Sequence, residues 1–294
     1  MAELKHAGKP ASALLICRTL GVPRSSLYSA RLPLPSVGPG KRGPRTQTSD
    51  EALLSSIKEV LDASPFSGEG YRKVRARLSR EKGISASGKR VLRLMRENGL
   101  LAPVRSGPKN GDPAHAGTII PETPDELWGT DATRVETTHE GWGWVFVCID
   151  HWSAEAWADV VKRGDRFAAG EPVRMAVRER FGALGADAAR GIALRHDHGP
   201  QYTSDHFQSE LKWLGITSSP AYVGEPEGNG CAERFIRTLK EQCLWVQRFS
   251  TIEEARVAVR DFVDRYNREW LIERHGHRSP REAYRDFHSG LKAA

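Results

Sequence analysis

The sequence predicts a mixed α/β domain with a five-stranded sheet, preceded by small all-helical segments. Three strands come in series in the middle of the chain, over residues 126–137, 143–150 and 153–162. After them, helices alternate with short apolar strands, and this succession is typical of a sheet with helices on both faces. The hydrophobic period is helical before residue 124 and strand-like after it, which separates the two parts of the chain.

The first hundred residues are predicted to be helical. Residues 11–31 are expected to form two short helices broken at Gly21-Val22-Pro23, which is the outline of a helix-turn-helix. Any small helical hairpin has a similar outline, so a plain hairpin remains an alternative. A second helical group is predicted further on, over about 50–63, 71–82 and 87–99.

The charge of the chain is divided unevenly. Residues 1–120 hold 21 Lys and Arg against 9 Asp and Glu, a net charge of +12, and residues 121–294 hold 23 against 28, a net charge of −5. A basic front half is typical of a segment that contacts polyanions, although a merely soluble basic segment has the same composition. We expect the cations of the second helical group to contact phosphates, and these are Arg72, Lys73, Arg75, Lys89, Arg90 and Arg93.

The later elements follow from periodicity and from capping residues. After the first three strands we expect a helix at 166–183, a strand at 190–196, a helix at 204–214, a strand at 215–220 and a helix from about Asn229. Two further helices are predicted from their capping residues. Thr251 and Glu254 form a capping box for a helix that runs to about Tyr266. Ser279, Pro280 and Glu282 cap a final helix near 280–287.

Stretches rich in proline and glycine suggest where the chain divides. The predicted parts are 1–48 (a helical segment and basic linker), 49–102 (a basic helix-turn-helix-like domain), 103–124 (a linker), 125–248 (the α/β core) and 249–294 (a C-terminal helical extension). The four cysteines are far apart and form no CxxC pair, which favours a reduced, cytosolic protein. No apolar run approaches the roughly 18 residues that a membrane span needs, so we expect no membrane partner.

Three acidic residues are placed where the predicted sheet would bring them together. Asp131 lies in the middle of the first strand, where a charge is costly unless it is paired or bound to a cation. Asp197 directly follows the strand 190–196, and ligands bind at the carboxyl ends of strands in open α/β sheets. Glu233 begins the closing helix after an interval of 35 residues, which is long enough to bring that helix back over the strand ends.

Three converging carboxylates form a site for hard divalent cations such as Mg²⁺. Two ions about 4 Å apart can activate an attacking oxygen and stabilise a leaving one in phosphoryl displacement. Asp131 is the candidate bridging ligand, with Asp197 on one ion and Glu233 on the other. Each residue alone is more simply explained as a turn Asp or a helix-start Glu, and only the three together predict a site. Arg237 and Lys240 lie one and two turns after Glu233 on the same helix face.

The histidines near Asp197 offer a competing interpretation. His196, His198 and His206 suggest a zinc site, but the absence of a nearby Cys ligand or a His-x-x-x-His pair makes zinc the weaker interpretation. His198 either contacts the scissile phosphate or finishes the turn, and the sequence leaves both open.

Several blocks of this chain resemble a known family. WGTDAT, RHDHGPQYTS and GNGCAERFIRTLKEQ resemble the three catalytic blocks of DDE transposases of the retroviral-integrase superfamily, above all the second-reading-frame product of family-three insertion sequences. YRKVRARL and KRVLRLMRENGL resemble that family's second helix-turn-helix, and YNREWLIERHGHRSP resembles its tail. The 35-residue gap followed by a basic residue seven positions after the Glu belongs to the same pattern.

The resemblance implies an RNase H-like fold with an integrase catalytic core. It implies that Asp131, Asp197 and Glu233 hold two Mg²⁺ ions, with Mn²⁺ as an alternative, and that Lys240 contacts DNA near the cleaved end. The implied reaction is a nick at each element end, followed by attack of the freed 3′-OH on another phosphodiester.

The partners that the resemblance implies are double-stranded DNA, both element ends and target, and further copies of the chain in a complex that holds two ends. A first-reading-frame product, separate or fused, is another implied partner, and the implied compartment is the bacterial cytosol. The chain departs from the family pattern at His198, Pro200 and Arg234, which affects fine DNA contacts. Two other interpretations stay open: a metal-dependent nuclease without strand transfer, and a non-catalytic DNA-binding regulator.

Overall fold

The computed structural model describes residues 5–6, 9–10, 12–29, 48–103, 119–221 and 229–293. The chain forms two compact units, Met1–Ser49 and Asp50–Ala294. Within the described residues, no helix is long and apolar enough to cross a membrane.

The first unit contains two paired two-residue strands and a helical pair. Its elements are β1 (Lys5–His6), β2 (Lys9–Pro10), α1 (Ala13–Leu20) and α2 (Arg24–Ser29). The Ser12 hydroxyl caps α1 by accepting a hydrogen bond from Leu15 N at 3.2 Å. Gly21 ends the helix with a φ of 62°, a conformation that glycine adopts without steric cost. The predicted break between two short helices is therefore confirmed.

The second unit begins with three helices that share a small core. They are α3 (Asp50–Ala63), α4 (Tyr71–Lys82) and α5 (Gly88–Glu97). Gly83 ends α4 in the left-handed region, and the Ser87 hydroxyl caps α5 by accepting from Arg90 N. The apolar side chains of the three helices are fully or nearly fully buried against one another, and they include Leu53, Ile57, Val74, Leu78, Val91, Leu94 and Met95.

A mixed five-stranded sheet follows. Its strands are β3 (Leu127–Thr137), β4 (Gly141–Asp150), β5 (Ala156–Val161), β6 (Ala193–His196) and β7 (Thr217–Pro220). The spatial order is β5-β4-β3-β6-β7, in which β4 is antiparallel to both neighbours and β6 is parallel to both of its own. Three consecutive strands thus form an antiparallel meander, and the two short strands extend the sheet on the far side of β3.

Helices cover both faces of the sheet. On one face lie α6 (Arg166–Phe181), α7 (Pro200–Thr203) and α8 (Asp205–Leu214), packed on a core that includes Trp128, Phe146 and Leu194. On the other face lie α9 (Gly230–Leu239), a π-helical turn (Lys240–Leu244) and α10 (Ile252–Glu269). The chain ends with a 3-10 turn at Glu273–His275 and α11 (Pro280–Ala293). Alternate residues of β4 enter the two cores, as the period of a strand requires.

Several predicted elements differ in extent from the observed ones, among them the strand expected at 190–196, which begins at Ala193. The strand expected from residue 153 begins at Ala156, because the Ser153 hydroxyl and backbone N–H both donate to Asp150 Oδ2 and hold a turn there. The last helix runs to Ala293 rather than to about 287. Its start is a capping box as predicted, since Glu282 N donates to Ser279 Oγ and Ser279 N donates to the Glu282 carboxylate.

The helical group α3–α5 packs against the C-terminal part of the second unit. Phe66 lies edge-on to Phe262 and Trp270, with ring centroids 6.4 and 5.0 Å away. Beside this contact, Arg77 Nε donates to Glu69 Oε2 at 2.6 Å, and both side chains are buried. Arg77 Nη2 also donates to the carbonyl of Glu269 at the end of α10. The Arg77–Glu69 ion pair lies within the helical group, and Arg77 contacts the sheet-bearing core through its hydrogen bond to the Glu269 carbonyl.

Replacement of Glu69 by Ala is expected to destabilise the chain by about 3–5 kcal/mol, because it leaves the Arg77 guanidinium buried without its main partner. Urea unfolding followed by circular dichroism measures this loss. Glu97→Ala is the matched control, since Glu97 pairs with Arg93 on the surface and is 52% exposed. Such surface pairs contribute about 0.2–1 kcal/mol. Equal losses in the two variants would contradict a structural role for the buried pair.

Candidate active site

The pairing of β3 with β6 sets the relation between Asp131 and Asp197. Leu127 pairs with Ala193 and Gly129 with Arg195, an offset of 66 residues in each case. The same offset separates Asp131 from Asp197, which directly follows the end of β6. Neighbouring strands lie about 4.8 Å apart, so this register brings the two carboxylates to the same level of the sheet.

Asp131 experiences the charges of the other predicted site residues. It is partly buried, and burial raises the pKa of its carboxyl to about 6, to which the negative charges of Asp197 and Glu233 contribute. The hydrogen bond from Ala132 N to Asp131 Oδ1, 2.7 Å long, and the positive charge of Lys240 act in the opposite direction on the pKa. Asp197, Glu233 and Lys240 thus lie near enough to Asp131 for their charges to act on its carboxyl.

The turn after β6 fixes Asp197. Gly199 N donates to Asp197 Oδ1 at 2.7 Å, and the carboxylate is exposed. The short helix α7 follows, and it is anchored by Tyr202, whose ring is fully buried and lies edge-on to Phe146. Tyr202 also places its hydroxyl 3.4 Å from Thr130 Oγ1 on β3, next to Asp131. Sequence reasoning did not single out this tyrosine, although it lies in the block RHDHGPQYTS.

The three histidines near this turn each have separate surroundings. His196 is buried, with Nδ1 2.7 Å from the Asp197 carbonyl and Nε2 2.9 Å from Ser218 Oγ, and burial lowers the pKa of its ring. His198 Nε2 lies 2.8 Å from the Ala221 carbonyl beyond β7. The His206 ring packs against Phe167 with centroids 4.5 Å apart. The structure therefore does not gather these rings around one point.

Glu233 is exposed on the first turn of α9, and the start of that helix is fastened to β3. The buried side chain of Asn229 donates from Nδ2 to the carbonyl of Thr130 at 2.9 Å. This bond reaches the residue directly before Asp131. It accounts for the position of α9 over the strand, and hence for Glu233 being near enough to affect Asp131.

Gly129 is the residue that allows α9 to approach so closely. A Cβ atom at this position would lie 2.6 Å from Asn229 Oδ1 and 2.6 Å from His151 Nε2. His151 is fully buried, its Nδ1 bonds to the Ile119 carbonyl, and burial lowers the pKa of its ring to about 4. Gly129, Asn229 and His151 are thus positioning residues that sequence reasoning missed. The available signal was the pair of small-residue blocks WGTD and GNG.

The predicted DNA-contacting residues of α9 lie on its outer side. Arg237 is exposed and its Nε donates to Glu241 Oε1 at 2.9 Å. Lys240 is half-buried at the start of the π-helical turn, and its Nζ lies 5.9 Å from the centroid of the Trp245 ring. Of the two cations, Lys240 is the one whose charge reaches Asp131.

Most of the predicted phosphate-contacting cations of α4 and α5 have partners within the chain. Arg72 Nε lies 3.5 Å from Glu273 Oε1, Lys73 Nζ lies 3.0 Å from the Trp270 ring centroid, and Arg75 Nε donates to the Ala86 carbonyl. Arg90 and Arg93 both pair with Asp50. Lys89 is exposed. The contacts with Asp50 and Ala86 lie within the helical group, and those with Glu273 and Trp270 reach the segment after α10. Together they leave a smaller cationic surface than the sequence suggests.

The carboxylate oxygens of Asp131, Asp197 and Glu233 are the kind of ligand that a hard cation prefers, although these side chains are not arranged so as to hold a metal ion. The described residues contain no group of three or more His, Cys, Asp and Glu side chains that could hold a metal ion as they stand. Burial is the main cause of the raised pKa of Asp131, and repulsion by the negative charges of Asp197 and Glu233 adds to it. A divalent cation among them would relieve this repulsion.

Family models match three parts of the chain. A model described as an HTH-like domain matches residues 48–107, and two models described as integrase core domains match residues 121–226 and 214–280. Together the two core models span the whole sheet, α9 and α10, and the HTH-like match covers α3–α5.

Curated relatives extend over nearly the full length. The chain is 29% identical over 263 residues to the transposase for insertion sequence element IS629 of Shigella sonnei, covering 86% of this chain and 85% of that protein. It is 26% identical over 278 residues to the transposase InsD for insertion element IS2A/D/F/H/I/K of Escherichia coli, covering 92% and 90%.

Solved structures show a looser likeness. The catalytic core domain of BIV integrase is 20% identical, covers 57% of this chain and 99% of that chain, and superposes with a TM-score of 0.39. The HTLV-2 integrase catalytic core domain in complex with magnesium is 15% identical, with coverages of 55% and 98% and a TM-score of 0.40.

The sheet order and the two core matches define an enzyme of the polynucleotidyl transferase class with an integrase-type core, and the predicted RNase H-like fold is confirmed. The HTH-like match and the curated relatives support an insertion-sequence transposase of the DDE and retroviral-integrase superfamily.

Proposed function

We propose that this transposase cleaves DNA at the ends of an insertion sequence and joins the freed 3′-OH to target DNA, with Asp131, Asp197 and Glu233 as the carboxylates of a DDE site. The observation that carries the proposal is the β3–β6 pairing, whose offset of 66 residues, continued two residues past the paired stretch, would set Asp131 level with Asp197. Asn229 fastens to β3 the start of α9, whose first turn bears Glu233, and Lys240 directly follows that helix.

The same three carboxylates are the proposed ligands of two Mg²⁺ ions, with Mn²⁺ as the alternative. Such ions supply positive charge to the attacking and leaving oxygens of a phosphodiester. Asp131, which is held by β3, would be the shared ligand, and Asp197 and Glu233 would each hold one of the two ions. Lys240 binds the phosphate next to the cleaved bond, and Arg237 and His198 extend this contact along the DNA.

We assign a separate function to each predicted part of the chain. Residues 49–102 bind the double-stranded element ends, residues 125–248 carry the chemistry, and 249–294 support them. Because two ends are joined in one event, the working form holds at least two copies of the chain. We further propose that the chain is the second-reading-frame product of a family-three element and that it works with a first-frame product in the bacterial cytosol. The basic segment 1–48 is proposed to assist DNA binding.

An end-joining assay tests the proposal. The purified chain is incubated with Mg²⁺, a labelled duplex that carries the flanking inverted repeat, and a supercoiled target plasmid. Joined products are the expected result. Nicks without joining would replace the proposal with a metal-dependent nuclease, and a bound complex without any cut would replace it with a DNA-binding regulator.

A further inference from the structure

A groove with an unusual aromatic lining lies at the hairpin end of β3. It encloses about 540 Å³ between the β3–β4 hairpin and the segment that follows α9. Two tryptophans line it and are largely exposed, Trp245 by 69% and Trp142 by 56%. Large aromatic side chains left open to water in one groove are typical of a binding surface rather than of a folding core.

Lys240 connects this groove with the carboxylate cluster. Its charge acts on Asp131, and its Nζ lies 5.9 Å from the centroid of the Trp245 ring, within the range of a cation–π contact. The strand that bears Asp131 continues into the groove wall at Arg134, and α9, which bears Glu233, is followed by the π-helical turn that leads to Trp245. The groove and the candidate active site are therefore connected along the chain by β3 and by residues 240–245.

The charge of the groove suits a polyanion. Arg134 and Arg248 line it and are exposed, and no described carboxylate forms a salt bridge with either. Glu136 is the acidic side chain in the lining.

We propose that this groove binds an unpaired nucleotide of the DNA substrate next to the reacting phosphate, with its base stacked on Trp245 and its phosphates near Lys240 and Arg248. The inference rests on the proposed function, because it takes the carboxylate cluster as the place where DNA reacts. Bases in an intact duplex are stacked on one another, so a protein ring can stack on a base only where the strand is frayed or overhanging. Stacking of a base on an aromatic side chain stabilises binding and tolerates any sequence.

The test measures binding in a background that does not cut. In the Asp197→Asn chain, the affinities for a blunt duplex and for the same duplex with an unpaired overhang are compared by fluorescence anisotropy. Trp245→Ala is expected to weaken overhang binding on the order of tenfold and to leave blunt-duplex binding within twofold. Trp245→Phe retains a stacking face and is expected to restore most of the affinity. Trp213→Ala is the matched control, because Trp213 is 49% exposed on α8 and lies outside the groove.

Three results would overturn the inference. One is unchanged overhang binding by Trp245→Ala, and another is an equal loss for blunt and overhanging DNA. The third is a change of oligomeric state on sedimentation with unchanged DNA affinity, which would assign the groove to a second copy of the chain. Failure of the proposed function is seen separately, as the absence of cutting and joining by the unmodified chain on either DNA.

Discussion

The Asp197→Asn chain is expected to neither cut nor join DNA while it binds element ends with nearly unchanged affinity. Asp197 stands level with Asp131 and is exposed, so the replacement removes a carboxylate without disturbing the core. Loss of a group that merely supports a metal ligand costs about 10–100-fold in activity, and loss of the ligand itself should therefore cost more than 100-fold.

Cleavage is measured by the release of labelled strands from end DNA in Mg²⁺, and binding by gel shift in its absence. Asp205→Asn is the matched control, because this replacement removes the same charge eight residues later, at the start of α8. It should cut normally. Normal cutting by Asp197→Asn would remove Asp197 from the site, and a parallel loss of DNA binding would show that its effect is not on the chemistry.

The Gly129→Ala chain is expected to lose cleavage on the order of 100-fold, although residue 129 has no chemical group to contribute. The new methyl group would lie 2.6 Å from both Asn229 Oδ1 and His151 Nε2, and both of these side chains are buried. The start of α9 must therefore move away from β3, and Glu233 moves with it. Overpacking of this kind also costs about 1–3 kcal/mol of unfolding free energy.

Gly185→Ala is the control for Gly129→Ala, because no heavy atom lies within 4 Å of the Cβ that it adds. Rates and urea unfolding curves of both variants are compared at a temperature where both are folded. A Gly129→Ala chain that is as active as the control would show that α9 need not lie so close to β3 for the reaction.

Local sequence patterns accounted for the elements and for the identity of the candidate site residues. The left-handed glycines at 21 and 83 end helices where expected, and caps such as Ser279 begin them, because these effects act within one helical turn. The apolar period of two located β3 and β4 closely, since each alternates between the two cores of the sheet. The density of cations in α4 and α5 was visible, but their pairing with Asp50 and Glu273 was not.

The sequence by itself determined which acidic residues to consider and what kind of ion they suit. It also determined that Asp131 lies within a strand, Asp197 at a strand end and Glu233 at a helix start. Only the tertiary structure decided that β6 lies beside β3 in a register that aligns Asp131 with Asp197, and that Asn229 fastens α9 over Gly129. It also decided that the basic helices pack on the core through Phe66 and through the hydrogen bond from Arg77 to the Glu269 carbonyl. The reason is physical: periodicity and capping depend on neighbours a few residues away, whereas strand register and helix docking depend on contacts between residues far apart in the chain.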